Sequence, residues 1–147
     1  MSGSVGVEVM KKVSLHKGDI FSFTFSNDFS MLATCSNDTT CLVLDPITFD
    51  VYMKFDKKNS VRTAFFYPMF NEDRMEKFHI FIGGGQDAKE VALTEEKGSS
   101  FETRIFSLLT GKDLGQIKGH FGPVHSLEIS PDGWTMATAS EDGTIRC

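Results

Sequence analysis

Apolar and polar residues alternate along most of this chain in short runs, the period of a half-buried strand. Ile20, Phe23 and Phe25 mark one such run, and Leu32 to Ser36 a second. Cys41 to Asp45 continues the series, and Phe49 to Phe55 follows a turn at Pro46 to Thr48. Further runs are Val61 to Tyr67, Phe78 to Ile82, Thr103 to Ser107 and Leu114 to Lys118. Val124, Leu127 and Ile129 mark the next, before the turn Pro131-Asp132-Gly133 and a last run from Met136 to Ala139. The only charged stretch of helical character, Glu72 to Lys77, is too short and is assigned to a loop. The pattern predicts an all-β protein.

The chain also repeats itself. A gapless shift of 104 positions lays His16 on His120, Gly18 on Gly122, Ser26 on Ser130 and Asp28 on Asp132. It lays Ala33-Thr34 on Ala137-Thr138, Ser36 on Ser140, Asp38 on Asp142 and Thr40 on Thr144. Strand faces and turn residues coincide together, which marks a structural repeat. A degenerate third copy lies between the two. The 104 residues therefore hold two units of about 40–45 residues plus an insertion, the length of a four-stranded propeller blade. The predicted divisions are an N-terminal segment 1–15 carrying the outer strand of a preceding blade, a blade 16–56, a degenerate blade 57–118 with an insertion at 83–100, and a partial blade 119–147.

Composition narrows the function classes. The 147 residues carry a net charge of −5, so no overall attraction to nucleic acid or anionic membrane is expected. No apolar run is long enough to span a bilayer, and the N-terminus lacks the basic and apolar regions of a signal peptide. The aromatic residues are almost all Phe, 14 against one Trp and two Tyr, which suits strands and inter-sheet packing. Cys35, Cys41 and Cys147 are odd in number and sit in strand patterns, so reduced thiols are expected; a Cys35–Cys41 disulfide or a metal site is the rival reading, without a His or third Cys at ligand spacing.

The Gly119-His120 pair, the apolar strand, the Pro-Asp-Gly turn, Ala137-Thr138-Ala139-Ser140 and Asp142-Gly143-Thr144 resemble the landmarks of WD-repeat proteins. The Trp-Asp dipeptide of that family is replaced by Leu44-Asp45 and Phe106-Ser107. A narrower resemblance rests on Gly83-Gly84-Gly85-Gln86-Asp87-Ala88, on Phe101-Glu102-Thr103-Arg104-Ile105-Phe106 and on Gly115 to Pro123. These are similar to the C-terminal repeats of the family of i subunits of eukaryotic translation initiation factor three. That resemblance implies about three four-stranded antiparallel sheets of an incomplete propeller, normally seven-bladed, and a chain that is a C-terminal piece of a longer protein. It further implies a non-catalytic, cytoplasmic scaffold without cofactors, assembled with the b and g subunits of the same factor. Contact with the ribosome would be indirect, with no direct nucleic acid contact and no membrane. An open arc of three blades is also expected to self-associate.

The resemblance assigns roles to individual residues. His16 with Asp38, and His120 with Asp142, are expected to hydrogen-bond across their blades, joined by a strand hydroxyl from Thr34 or Ser36 and from Thr138 or Ser140. The rival reading of these residues, a hydrolytic His-Asp-Ser triad, lacks an oxyanion-hole motif. In the middle blade Lys57 replaces the His, and Phe65, Phe81 and Phe106 are expected to hold the sheets together. Gly83-Gly84-Gly85 lacks the Lys-Ser/Thr and helix of a phosphate loop and reads as close backbone approach or a bulge. Asp45, Asp56, Gln86, Asp87 and Arg104 are the candidates for partner binding. The competing functions are another WD-repeat adaptor, in signalling or ubiquitin transfer, and a propeller-based enzyme, for which Ser22, Arg62, His125 and Ser126 at the channel offer too little.

Overall fold

A computed structural model describes residues 6, 8, 9, 11–68, 78–86 and 101–147. The expected loop at 72–77, most of the insertion, and Asp87 lie outside the described residues. Eleven strands form three antiparallel sheets in which each strand pairs with its sequence neighbour. The first sheet contains β1 (Ile20–Phe25), β2 (Leu32–Ser36), β3 (Thr40–Leu44) and β4 (Val51–Asp56). The second contains β5 (Val61–Phe66), β6 (His79–Gly84), β7 (Thr103–Ser107) and β8 (Asp113–Ile117). The third has β9 (Val124–Ile129), β10 (Met136–Ser140) and the short β11 (Ile145–Arg146). Among the described residues there is no helix, and residues 11–19 ahead of β1 form no strand.

Register shows how closely the three sheets correspond. Each has an irregularity at the same place, between Ile20 and Ser22, between Val61 and Thr63, and opposite Ala139 and Ser140. Such bulges bend the strand and sharpen its twist. From these pairings Ile20, Val61 and Val124 are equivalent, as are Phe23, Ala64 and Leu127. The β2–β3 and β10–β11 turns rest on Asp38 and Asp142, while Ser26 with Asp28 and Ser130 with Asp132 shape the turns before β2 and β10.

The main core lies between the first and second sheets. Ala33, Cys35, Cys41 and Val43 face Ala64, Phe66, Ile80 and Ile82 there, and Phe55 meets Phe106 at a ring-centroid distance of 4.7 Å. Cys35 and Cys41 are free thiols opposite one another on β2 and β3, both buried. The expected aromatic trio divides between two faces. Register aligns Phe66, Ile80 and Phe106 on the face toward the first sheet, whereas Phe65, Phe81 and Ile105 lie on the opposite face. Period-two alternation forces that split, so Phe66 and not Phe65 joins Phe106 in the core.

The triple glycine sits where chains approach most closely. A Cβ on Gly84 would fall 2.2 Å from the Ser60 carbonyl oxygen, and one on Gly83 would meet the Thr63 and Val124 side chains. Gly85 takes φ 147° against Phe101 and Pro123. No side chain other than hydrogen fits at Gly84 against the start of β5, and Gly83 and Gly85 are similarly confined where the third sheet's Val124 and Pro123 approach.

Candidate functional site

Two polar networks recur in the first and third sheets. The strand β2 carries Thr34, and the turn after it carries Asp38; the loop ahead of β1 brings His16 over both. His16 Nε2 lies 2.8 Å from Thr34 Oγ1, and Nδ1 lies 3.1 Å from Asp38 Oδ2. Asp38 accepts further hydrogen bonds from the Lys17 amide at 2.8 Å, the Thr40 amide at 3.0 Å and the Thr40 hydroxyl at 2.6 Å. In the third sheet His120 lies 2.9 Å from Thr138 Oγ1 and 3.0 Å from Asp142 Oδ2. Asp142 accepts from the Phe121 amide and from the amide and hydroxyl of Thr144.

These partners set the carboxyl chemistry. Burial pushes Asp38 up, but the Thr40 hydroxyl, the Lys17 and Thr40 amides and His16 outweigh it and hold the carboxyl well below its usual range. Asp142 is held low chiefly by the Thr144 hydroxyl and the Phe121 amide. Both are therefore carboxylates dedicated to their own turns. Gly18 and Gly122 make room for this: a Cβ on either would come within about 3 Å of the Asp38 or Asp142 amide nitrogen, a contact real side chains avoid.

Of the two hydroxyls considered in each blade, Thr34 and Thr138 reach the histidines. Ser36 instead accepts the Asp38 amide, and Ser140 donates to the Gly122 carbonyl while accepting the Asp142 amide. Thr40 and Thr144 were not among the predicted site residues, although the shared Asp-x-Thr spacing signals them. The order Asp–His–Thr is also that of a hydrolytic triad. However, the His16 and His120 side chains are only 3% and 5% exposed, enclosed within their blades.

The middle blade replaces this network. Lys57 stands four residues before Val61, as His16 stands before Ile20, and its Nζ reaches the Ile82 carbonyl at 3.5 Å. Register puts Glu102 where the first sheet has Thr40. Glu102 is 1% exposed and accepts from Arg104 Nε at 2.5 Å, while Arg104 Nη1 donates to Asp113 at 2.6 Å. Gln116, oriented with its amide nitrogen toward Glu102, adds a further donor. Burial pushes the Lys57 amine down to about 8, against the opposing pull of Glu102.

These residues line a cleft of about 310 Å³ between the first and second sheets, bounded by Asp56, Lys57, Lys58, Gly85, Arg104 and Asp113. Asp56 and Arg104, two of the predicted partner-binding residues, thus come together at one site. Asp56 also pairs with Lys54 at 2.7 Å. Gln86 is half-buried beside Gly85, and Asp87 lies outside the described residues. Asp45 is elsewhere: it accepts from the Ile47 and Thr48 amides and from the Tyr52 hydroxyl, closing the β3–β4 turn. Lys57 and Glu102 were missed as members of the site because their roles follow from the register of a degenerate blade.

Among the described residues, no group of three His, Cys, Asp or Glu side chains could hold a metal ion, and no helix is long and apolar enough to cross a membrane.

The recurring His–Asp–hydroxyl geometry has its counterpart in sequence comparison. Residues 8–45 and 111–147 match the family described as WD domain, G-beta repeat. The chain belongs to the WD-repeat family. Its known relatives are more particular. It is 34% identical over 139 residues to the eukaryotic translation initiation factor 3 subunit I of Saccharomyces cerevisiae, covering 95% of this chain and 38% of that protein. Against the same subunit of Drosophila ananassae it is 34% identical over 141 residues, covering 96% of this chain and 42% of the other. For Candida glabrata the identity is 30% over 141 residues, covering 96% and 39%. This WD-repeat chain is homologous to those subunits and spans about two fifths of their length. Its three sheets are the blades of an incomplete propeller.

Proposed function

We propose that this WD-repeat chain serves as a non-catalytic docking scaffold of translation initiation, in the manner of initiation factor 3 subunit I. The observation that carries the reading is the similarity to that subunit along 95% of the chain. The enclosure of both histidine networks supports it, since their acceptors are consumed by the blades' own turns. The His–Asp pairs then act as cross-blade ties whose removal would strand a buried polar group.

The partners in this reading are other subunits of the factor, specifically b and g, met in the cytoplasm, with the ribosome engaged through them. The rim cleft containing Asp56, Lys57 and Arg104, with Gln86 following its lining residue Gly85, is the docking surface on this chain. Its mixed charges suit a peptide segment that presents both signs, laid along the blade rim.

A pulldown tests the assignment. The protein carrying this chain is expected to retain the b or g subunit, and an Arg104→Ala variant to retain less. Failure to retain either subunit overturns the reading.

A further inference from the structure

Among the described residues, each carboxylate lining the cleft already has a cation, and that cation is not Lys57. Glu102 and Asp113 on the second sheet are both held by Arg104, and Asp56 at the end of β4 is held by Lys54. The one polar contact of the Lys57 amine among these residues is the Ile82 carbonyl at 3.5 Å, longer than an ordinary N–H···O hydrogen bond. An ammonium has three N–H groups to satisfy. Two of them are left without a partner there.

The backbone fixes where this side chain goes. The Lys57 amide donates to the Thr39 carbonyl at 2.9 Å, which ties the start of the β4–β5 loop to the β2–β3 turn. The side chain then runs between the two sheets, half-buried, to reach Ile82 on β6. Its neighbour Lys58 is exposed, so only the first of two adjacent lysines is enclosed. The cleft of about 310 Å³ that Lys57 lines leaves space for a small visitor. That volume corresponds to about ten waters at roughly 30 Å³ each.

We infer that Lys57 is a modification site whose side-chain amine takes an acyl group from an acyl thioester. The nitrogen lone pair attacks the thioester carbonyl carbon and an N–C bond forms. The C–S bond breaks, its electrons leave on sulfur, and the thiolate takes up the proton that nitrogen sheds. Amine and thioester thus give amide and thiol. The product suits the cleft, because a neutral amide buries no charge and keeps one N–H for the Ile82 carbonyl. This chemistry belongs to the amine and does not rest on the docking of a subunit.

The surroundings favour the reactive form. Desolvation, the largest influence, and Arg104 oppose the ammonium, while Glu102, Asp113 and Cys41 favour it. Asp56 and Lys58 border the same cleft from the loop. The amine titrates at about 8 instead of 10.5. That change multiplies the neutral fraction at pH 7 by roughly 300, which outweighs the nucleophilicity lost with basicity.

Labelling the protein that carries this chain with N,S-diacetylcysteamine, a small acetyl thioester, tests the inference. Peptide mass spectrometry reads the rate at each lysine, with the exposed Lys54 and Lys58 as internal references. At pH 7 Lys57 is expected to be acetylated about tenfold faster than either reference. Its rate is expected to level off above pH 8 while theirs still climb. In urea-unfolded protein the preference is expected to vanish. Equal rates at the three lysines, or a slower rate at Lys57, overturn the inference, and so does a preference that survives unfolding. Retention of a partner subunit is read separately on unlabelled protein, so either conclusion can fail without the other.

Discussion

Thr39 and Gly143 hold the same left-handed backbone, φ 71° and 78°, in equivalent turns of the first and third blades. A β-branched residue is strained there, whereas glycine is not. Phe29 with Gly133, at φ 59° and 75°, repeats the relationship one turn earlier. The first blade therefore keeps turns that glycine relaxes in the third.

Thr39→Gly is expected to stabilise the fold. Relief of left-handed strain of roughly 1–2 kcal/mol is offset in part by glycine's larger unfolded-state entropy, roughly 0.5–1 kcal/mol. A net gain of about 1 kcal/mol raises the melting temperature of a domain this size by about 2–4 °C. A fall in calorimetric melting temperature would show that the Thr39 side chain contributes contacts worth more than the strain.

His16→Ala removes the ring that joins Thr34 to Asp38 and is expected to cost about 2 kcal/mol, as for a lost hydrogen bond to a charged group. His120→Ala acts in the same direction in the third blade. Neither variant is expected to change the intrinsic affinity of a partner subunit, because both rings are enclosed. Chemical denaturation of each variant checks the first point, and titration calorimetry with a partner the second. A weakened partner affinity at full folding would move the histidines into the docking surface.

Acid should unfold the protein through Asp38 and Asp142. Both carboxyls titrate below their unfolded value of 3.8. The unfolded chain binds the extra protons first, so the stabilisation is complete above that value and is lost as pH falls beneath it. Melting temperature followed downward from pH 5 is expected to drop, and the drop to shrink in Asp38→Asn. An equally steep acid limb in that variant would assign the effect to other carboxylates.

Lys57 opposes stability at neutral pH, although the fold's stability likewise rises with pH. Its amine titrates at about 8 in the fold against 10.5 when free, so at neutral pH the fold carries the cost of a partly buried charge. That cost is relieved as pH rises from 8 to 10.5, where the unfolded chain binds more protons than the folded one. Lys57→Met is expected to raise the melting temperature at pH 7 and to lose this advantage near pH 10.5. A destabilised variant at pH 7 would mean that the Ile82 carbonyl contact and Glu102 outweigh desolvation.

Where blade chemistry repeats, the chain could be read directly. The 104-residue shift located both histidines, both aspartates and the turns around them, because each turn demands a short polar side chain at a fixed offset. The triple glycine was legible too as close approach or a bulge, and the chain does come close there, with the strand opposite irregular. The aromatic trio was harder: sequence places Phe65 and Phe66 side by side, and only register tells which one faces Phe106. Lys57 and Glu102 were illegible as a site for a related reason. They lie far apart in the chain, on either side of the insertion, and no repeat template carries that residue pair. Asp45 looked like Asp56 in sequence, yet one caps its own turn and the other borders the cleft.

Ser22 donates to the Arg62 carbonyl at 2.8 Å, and the Arg62 guanidinium lies over Phe21 and reaches His125 at 3.4 Å. The three innermost strands are thereby riveted at the hub, while the cleft beside Lys57 opens at the circumference. One side chain, Arg62, thus touches the inner strands of both neighbouring blades, so its loss would be felt in all three at once.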